Sequence, residues 1–273
     1  MGKLYILGDI GEYTKHLKKL VKKIEKNIKK DDILIILGDN FYPKGIKDDD
    51  DVQINKFKKM FSEIDNKIYM ILGNHDYILD PKSQINNPNW NMPDWYYNID
   101  YYDYSLYFLD TIQLYPSEFI DGTRIKEKHN EILGNIFEKQ LNWLEKSLKS
   151  STKKYKLVFG HYPILTNGAY YYNFHKLYNR LMPLFEKYKV RSYFSGHEHS
   201  FQFINRKVND YKFYQFICGN SGEIRDDKKN ETEYNKDDIF YNKSCCYMEV
   251  DIIDSKLSIS LTDKDKELYK YII

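Results

Sequence analysis

Ile33-Leu34-Ile35-Ile36-Leu37-Gly38-Asp39 decides how this chain reads: a β-prone apolar run ends in glycine, and the next residue is a good metal ligand. The same device recurs along the chain. Leu4-Tyr5-Ile6-Leu7 runs into Gly8-Asp9, and Ile68-Tyr69-Met70-Ile71-Leu72 into Gly73-Asn74. Leu157-Val158-Phe159 runs into Gly160-His161, and Ser192-Tyr193-Phe194-Ser195 into Gly196-His197. Short apolar runs of this kind read as buried strands. In open α/β sheets, ligands gather just beyond the carboxyl ends of the strands. Five strand ends therefore deliver Asp, Asp, Asn, His and His to one rim, and that rim is a candidate metal site.

Helical periodicity fills the gaps between these runs. Leu17, Leu20, Val21, Ile24 and Ile28 space a helix from about Thr14 to Lys30, with its lysines on a solvated face. Phe57, Met60, Phe61 and Ile64 mark a second, and Asp48 to Asp51 fall at its start, where negative charge suits the helix dipole. With strands at Lys3–Leu7, Asp32–Leu37 and Lys67–Leu72, the chain opens β-α-β-α-β, the pattern of a parallel sheet with right-handed crossovers.

Residues 78 to 94 are rich in Pro and Asn and read as a loop. Trp95–Tyr97 and Tyr104–Leu109 read as strands. Thr111 to Gly134 reads as a long loop, and loops of that length inside a domain are commonly functional. Helices are predicted over Ile136–Lys149 and over Phe174–Lys187, the latter kinked near Pro183. Strands Tyr155–Phe159 and Val190–Phe194 follow them. The remainder reads as β, at Ser200–Asn205, Lys212–Ile217, Cys246–Ile253 and Leu257–Leu261. No solenoid repeat and no linker divides the chain, so one domain over residues 1–273 is expected.

Composition is that of an ordinary globular chain: 273 residues, 42% hydrophobic and 30% charged. A formal net charge of +2 implies neither nucleic-acid nor membrane binding. Cys218, Cys245 and Cys246 are odd in number and contain no C-x-x-C pair, which argues against a disulfide framework or a thiolate zinc site. No apolar stretch approaches a membrane span. A strand entered by Lys3 leaves no room for a signal peptide, so an intracellular protein is expected.

The motifs in full are Gly8-Asp9-Ile10-Gly11, Gly38-Asp39-Asn40-Phe41-Tyr42, Gly73-Asn74-His75-Asp76, Gly160-His161-Tyr162-Pro163 and Gly196-His197-Glu198-His199. This set resembles the calcineurin-like metallophosphoesterase superfamily, and within it the tartrate-resistant, or purple, acid phosphatases. Gly11 stands where many members have a metal-binding His, Tyr42 follows Asp39 by three residues, and the fourth motif reads Gly-His-Tyr-Pro. The likeness continues in Leu109-Asp110-Thr111 and in Gln140-Leu141-Asn142-Trp143-Leu144, and covers Leu4 to about Gly219.

The resemblance implies an α/β fold, a four-layer sandwich of two mixed β-sheets flanked by helices. It implies that Asp9, Asp39, Tyr42 and His199 hold one metal, and that Asp39, Asn74, His161 and His197 hold a second, with Asp39 bridging. Carboxylate and phenolate oxygens suit Fe(III), while imidazole and amide oxygen suit a divalent iron, zinc or manganese. His75 would stabilise the phosphate and donate a proton to the leaving oxygen, with Asp76 orienting it. The function implied is hydrolysis of phosphate monoesters, on a phosphorylated small molecule or phosphoprotein, by metal-bound hydroxide. A phosphodiesterase or nucleotide hydrolase with the same ligands, and a non-catalytic scaffold, are the alternatives.

One departure stands out. The resembling phosphatases carry a further His about nine residues after the fourth-motif His, where this chain has Ala169-Tyr170-Tyr171-Tyr172. His175 begins a helix and reads as structural. His16 reads as surface. His129 falls in the long loop, which the resemblance places near the site as a restriction on access.

Overall fold

The computed structural model describes residues 2–48, 51–115, 119–120, 123–124, 136–168, 175–208, 210–223 and 238–273. The chain opens with β1 (Leu4–Leu7), α1 (Lys15–Asn27), β2 (Ile33–Ile36), α2 (Val52–Met60) and β3 (Ile68–Met70). It continues with β4 (Tyr97–Tyr101), β5 (Tyr104–Phe108), α3 (Thr111–Leu114), the short pair β6 (Phe119–Ile120) and β7 (Thr123–Arg124), and α4 (Ile136–Ser150). Then come β8 (Tyr155–Phe159), α5 (His175–Tyr188), β9 (Ser192–Ser195), β10 (Phe201–Val208) and β11 (Tyr211–Cys218). The last four strands are β12 (Asp238–Asn242), β13 (Cys246–Ile253), β14 (Lys256–Asp263) and β15 (Glu267–Ile272).

Two mixed sheets result, flanked by helices as expected. One runs β15-β14-β13-β1-β2-β3, with β1, β2 and β3 parallel. The other runs β12-β10-β11-β9-β8-β5-β4, with β11, β9, β8 and β5 parallel. Local chemistry fixes the helix starts. The Thr14 hydroxyl accepts from the Leu17 N–H at 3.2 Å and donates to the Gly222 carbonyl at 2.6 Å, so it caps α1 and ties it to the chain after β11. Asp51, last of the aspartate run, caps α2 through the Gln53 N–H at 2.9 Å. The apolar stripe of α1, Leu17, Leu20, Val21 and Ile24, is buried.

The second sheet is pinned by an aromatic ladder. Tyr97, Phe108, Phe159, Phe194, Phe216 and Phe203 occupy paired positions on six neighbouring strands. Their rings stack at centroid separations of 4.6 to 5.2 Å. Tyr69 of the first sheet stacks on Phe108, and Tyr271 packs on Phe203, so the ladder faces the core between the sheets. A one-residue slip of any strand would turn its ring out of the core.

One predicted strand is shifted and two strands are absent from the sequence reading, and all three lie at a sheet edge. The strand expected at Trp95–Tyr97 is Tyr97–Tyr101, and β12 and β15 were not predicted at all. All three are the outermost strands of their sheets. In β4 and β15 one face meets solvent, so exposed Asn98, Asp100, Glu267 and Lys270 break the apolar run, whereas β3, also outermost, is buried throughout and keeps its run. The expected loop at Thr111 opens instead with α3. The proposed access restriction, His129 and Tyr170 fall wholly or mostly outside the described residues. Cys218, Cys245 and Cys246 are buried free thiols. Among the described residues no helix is long and apolar enough to cross a membrane.

Asp110 follows β5 as His161 follows β8. Its carboxylate caps α3 through the Ile112 and Gln113 N–H groups at 3.0 and 3.1 Å and accepts a short bond from the Tyr77 hydroxyl. Burial outweighs these bonds and the pKa rises to about 7. The folded chain therefore keeps a proton that the unfolded chain releases near an ordinary aspartate pKa of about 4. Stability from this group is present below about pH 4 and is lost as pH rises toward about 7. Asp110→Asn should make unfolding stability, measured by urea titration at each pH, flatter across that window. An unchanged slope would show that Asp110 ionises as an ordinary aspartate.

Candidate metal centre

The parallel order β1-β2-β3 sets Asp9, Asp39 and Asn74 side by side at the carboxyl ends of three adjacent strands. Strands β8 and β9 bring His161 and His197 to the same rim from the opposing sheet. The structure gathers all seven expected donors. The Tyr42 hydroxyl lies 2.8 Å from Asp39 Oδ2, 3.2 Å from Asp9 Oδ1 and 3.2 Å from His199 Nε2. Asn74 Oδ1 lies 2.9 Å from His161 Nε2 and 3.0 Å from His197 Nδ1. Asp39 Oδ1 is 3.5 Å from His161 Nε2. The two carboxylate oxygens of Asp39 thus enter two different groups of donors. Ligand atoms of Asp9, Asp39 and His161 all lie within 4.8 Å of one another, and all three residues are buried.

These residues fit a cation. His161 Nδ1 is 2.8 Å from the Leu37 carbonyl, which can only accept, so Nδ1 carries the proton. In a singly protonated ring the lone pair of Nε2 would face Asn74 Oδ1 and Asp39 Oδ1. A lone pair facing oxygens at this range is relieved by a second ring proton, by a rotated Asn74 amide or by a cation. The donor set of carboxylates, a phenol, an amide oxygen and imidazoles is one that hard and borderline cations take. Burial works to raise the pKa of Asp39, but His161, His75 and His197 and the His75 N–H outweigh it and hold the carboxyl at about 2. Asp39 is therefore a carboxylate throughout the neutral and mildly acidic range.

Backbone geometry explains the recurrent glycine. Asp9, Asp39 and His197 adopt φ of 55°, 51° and 69°, a left-handed turn that aims each side chain at the rim as its strand ends. Neighbouring turns then pack backbone to backbone. A Cβ on Gly73 would stand 2.2 Å from the Asp39 nitrogen, and one on Gly11 would stand 2.3 Å from the Tyr42 nitrogen. A side chain at position 11 and the Tyr42 loop cannot share that space, which accounts physically for a Gly and a Tyr occurring together.

The expected role of Asp76 is corrected. Its carboxylate accepts from Gly73 N at 2.8 Å, Asn40 N at 3.1 Å, Asn40 Nδ2 at 3.2 Å and Gln84 Nε2 at 3.0 Å. It braces the turns that carry Asp39 and Asn74 and does not touch the His75 ring. His75 and Asp76 open a 3₁₀ turn, whose successive side chains diverge by about a third of a circle, so one faces the rim and the other the interior. The His75 ring is held by the Pro43 carbonyl, 2.7 Å from Nδ1, and lies edge-on to Tyr42. Asn40, Gln84 and Glu223 had gone unassigned. Glu223 Oε2 lies 3.7 Å from His199 Nδ1. Asn40 was legible as part of the second motif, whereas nothing in the sequence marked Gln84 or Glu223. His16 and His175 are exposed on α1 and at the start of α5.

Gly11→Ala should lower stability by about 1–3 kcal/mol, since the nearest atoms are backbone and cannot rotate away. It should also reduce bound metal, read by elemental analysis. A variant with the wild-type urea midpoint and metal content would refute the close-approach argument.

Comparison with known proteins gives the family. Residues 2–201 match the calcineurin-like phosphoesterase family model. Human tartrate-resistant acid phosphatase type 5 is 28% identical over 212 residues, covering 72% of this chain and 63% of the relative. The chain spans about six-tenths of the length of the curated relatives it matches. Among solved structures, GAP50, described as the anchor in the inner membrane complex of Plasmodium, superposes with a TM-score of 0.77 at 20% identity, covering 100% of this chain and 88% of that one. The purple acid phosphatase PPD1 from yellow lupin gives 0.76 at 16% identity, covering 100% of this chain and 53% of that one. A family match over most of the chain, on a fold whose strand ends converge on one cluster of metal-ligating side chains, shows that the chain belongs to the calcineurin-like phosphoesterase family.

Proposed function

We propose that this chain hydrolyses phosphate monoesters at a dinuclear metal centre. The observation that carries the reading is Asp39, whose Oδ2 joins Tyr42 while its Oδ1 faces His161. Asp9, Asp39, Tyr42 and His199 would hold one cation, and Asp39, Asn74, His161 and His197 the other. The phenol and carboxylates favour Fe(III) in the first place, and the imidazoles and amide a divalent iron, zinc or manganese in the second. Bound there, two cations supply Lewis-acid neutralisation of phosphoryl oxygens and a nucleophile from water of lowered pKa.

The chain's own groups do the rest. His75 is the partly exposed member of the rim, and its Nδ1 is committed to Pro43. Its Nε2 therefore remains for substrate, and it donates a proton to a leaving oxygen only when both ring nitrogens are protonated. Asp76 and Asn40 hold the Asp39 and Asn74 turns in register, so the donors are positioned before substrate arrives. Substrates of this reading are phosphorylated small molecules or phosphoproteins, acted on by residues 1–273 as one catalytic domain.

A second reading follows from the likeness in fold to the Plasmodium anchor protein: a scaffold without turnover. The convergence of seven donors weighs against it, because a scaffold has no use for them.

The test is turnover of p-nitrophenyl phosphate and bis(p-nitrophenyl) phosphate by metal-loaded protein. Monoester hydrolysis should dominate and should be abolished by Asp39→Asn. His75→Ala should slow it by roughly a hundredfold while metal content stays at the wild-type level. Diester preference would move the chain to the phosphodiesterase reading. Full metal content with no turnover of either ester would leave the scaffold.

A further inference from the structure

The parallel strands β8 and β9 have two ends, and the metal centre uses one. At their amino ends, about 15 Å away at roughly 3.3 Å per residue over the five-residue β8, lies a cavity of about 330 Å³. Lys154, Lys156, Lys189 and Arg191 line it, with Leu257 and the last residue, Ile273, which bond each other through their backbones, and no Asp or Glu side chain does. This is unusual in a chain whose 42 basic residues are nearly balanced by 40 acidic ones.

Three observations show that these charges are not spent elsewhere. First, none of the four forms an ion pair with a carboxylate among the described residues. Lys187, two residues before Lys189, does find such a partner in Glu145 at 2.7 Å. Second, the two lysine ammonium groups with described polar partners bond neutral carbonyls: Lys154 to Ser255 at 3.0 Å and Lys156 to Tyr188 at 3.3 Å. These bonds position the ammonium groups and leave their charge uncompensated. Third, Leu157 pairs with Ser192 across the β8–β9 ladder, so one step back Lys156 and Arg191 stand beside each other. Like charges in adjacent cross-strand positions destabilise a sheet. Four cations gathered around one concavity, three of them exposed, make a positive surface whose charge a multiply charged anion would neutralise.

We propose that this cavity binds a small, multiply charged phosphate-bearing anion, at a site separate from the metal centre. A single carboxylate carries too little charge to neutralise four cations. An extended polyanion such as nucleic acid needs a strip rather than a pocket of this volume, which lies at the lower end of the range for small-ligand sites. A free phosphate compound and a lipid headgroup share the required chemistry. A concavity of this volume, rather than a flat face, favours the free compound.

The experiment is calorimetric titration of methylenediphosphonate, whose P–C–P link resists hydrolysis. The full chain carries Asp39→Asn and is kept with chelator, so the metal centre contributes nothing. This background is compared with the same chain carrying Lys156→Gln and Arg191→Gln. The background should bind one equivalent, with affinity falling as salt rises. The double change should weaken binding at least tenfold and flatten the salt dependence. Without ligand at low salt, the double variant should melt higher than the background, since the repulsion is gone. If it does not fold, Lys154→Gln with Lys189→Gln at the exposed rim replaces it, with the same expected loss. Equal affinity with and without the substitutions, or no binding by the background, overturns the proposal. Binding to vesicles containing phosphatidylinositol bisphosphate, with none to the diphosphonate, overturns the free-compound assignment in favour of a membrane headgroup.

Discussion

Register in the second sheet is the constraint on which the rest depends. Phe159 and Phe194 are adjacent rungs of one ladder, and each is followed within three residues by a histidine of the metal centre. Stacking fixes the strands relative to each other, and the strands fix where the imidazoles emerge. The ladder rings are large and buried, so a slipped register would forfeit apolar burial on every strand involved. The position of His161 is thus a consequence of strand packing, not of loop geometry alone. From there its ring crosses to the first sheet, where the Leu37 carbonyl sets its tautomer.

What was legible in the sequence follows the same logic. Strands buried on both faces announce themselves, whether interior like β2 or outermost like β3, so an apolar run leads to each strand-end donor. The five strand-end donors could be named from that pattern alone. Tyr42 and His199 needed the resemblance, since no periodicity points to them. β4 and β15 are harder to read because exposed polar residues interrupt them. The role given to Asp76 was mistaken because adjacency in sequence says little about direction in a tight turn. The bracing by Gln84, 44 residues from Asn40, could not have been read from any local pattern.

The centre is also where the fold departs from local preference. Asp9, Asp39 and His197 hold left-handed backbone, and two buried aspartates, Asp39 and Asp76, sit behind one another. Their environments drive them apart. The imidazoles hold Asp39 ionised against its burial, whereas Asp76 is raised to about 7 by burial and by the nearby charge of Asp39. Backbone N–H groups from Gly73 and Asn40 and the Gln84 amide offset part of that rise. One carboxylate is thus kept charged for a cation, and its neighbour is kept in place by hydrogen bonds that do not require full charge.

A centre of this kind couples metal binding to stability. Carboxylate, phenol, amide and imidazole groups converge there on a buried volume, so on the proposed reading a cation would add its binding free energy to the folded state. Whatever binds the folded state and not the unfolded one stabilises it in proportion to its binding free energy. The aromatic ladder and the Asp76 network are then best understood as the parts that hold the donors together in the absence of the ion. Their rigidity makes the site pre-formed, which lowers the reorganisation needed on binding. The same rigid strands carry the cationic cavity at their other end. The two sites are therefore joined by secondary structure that is well packed along its whole length, and a charge bound at one end meets a fixed, not a yielding, framework at the other.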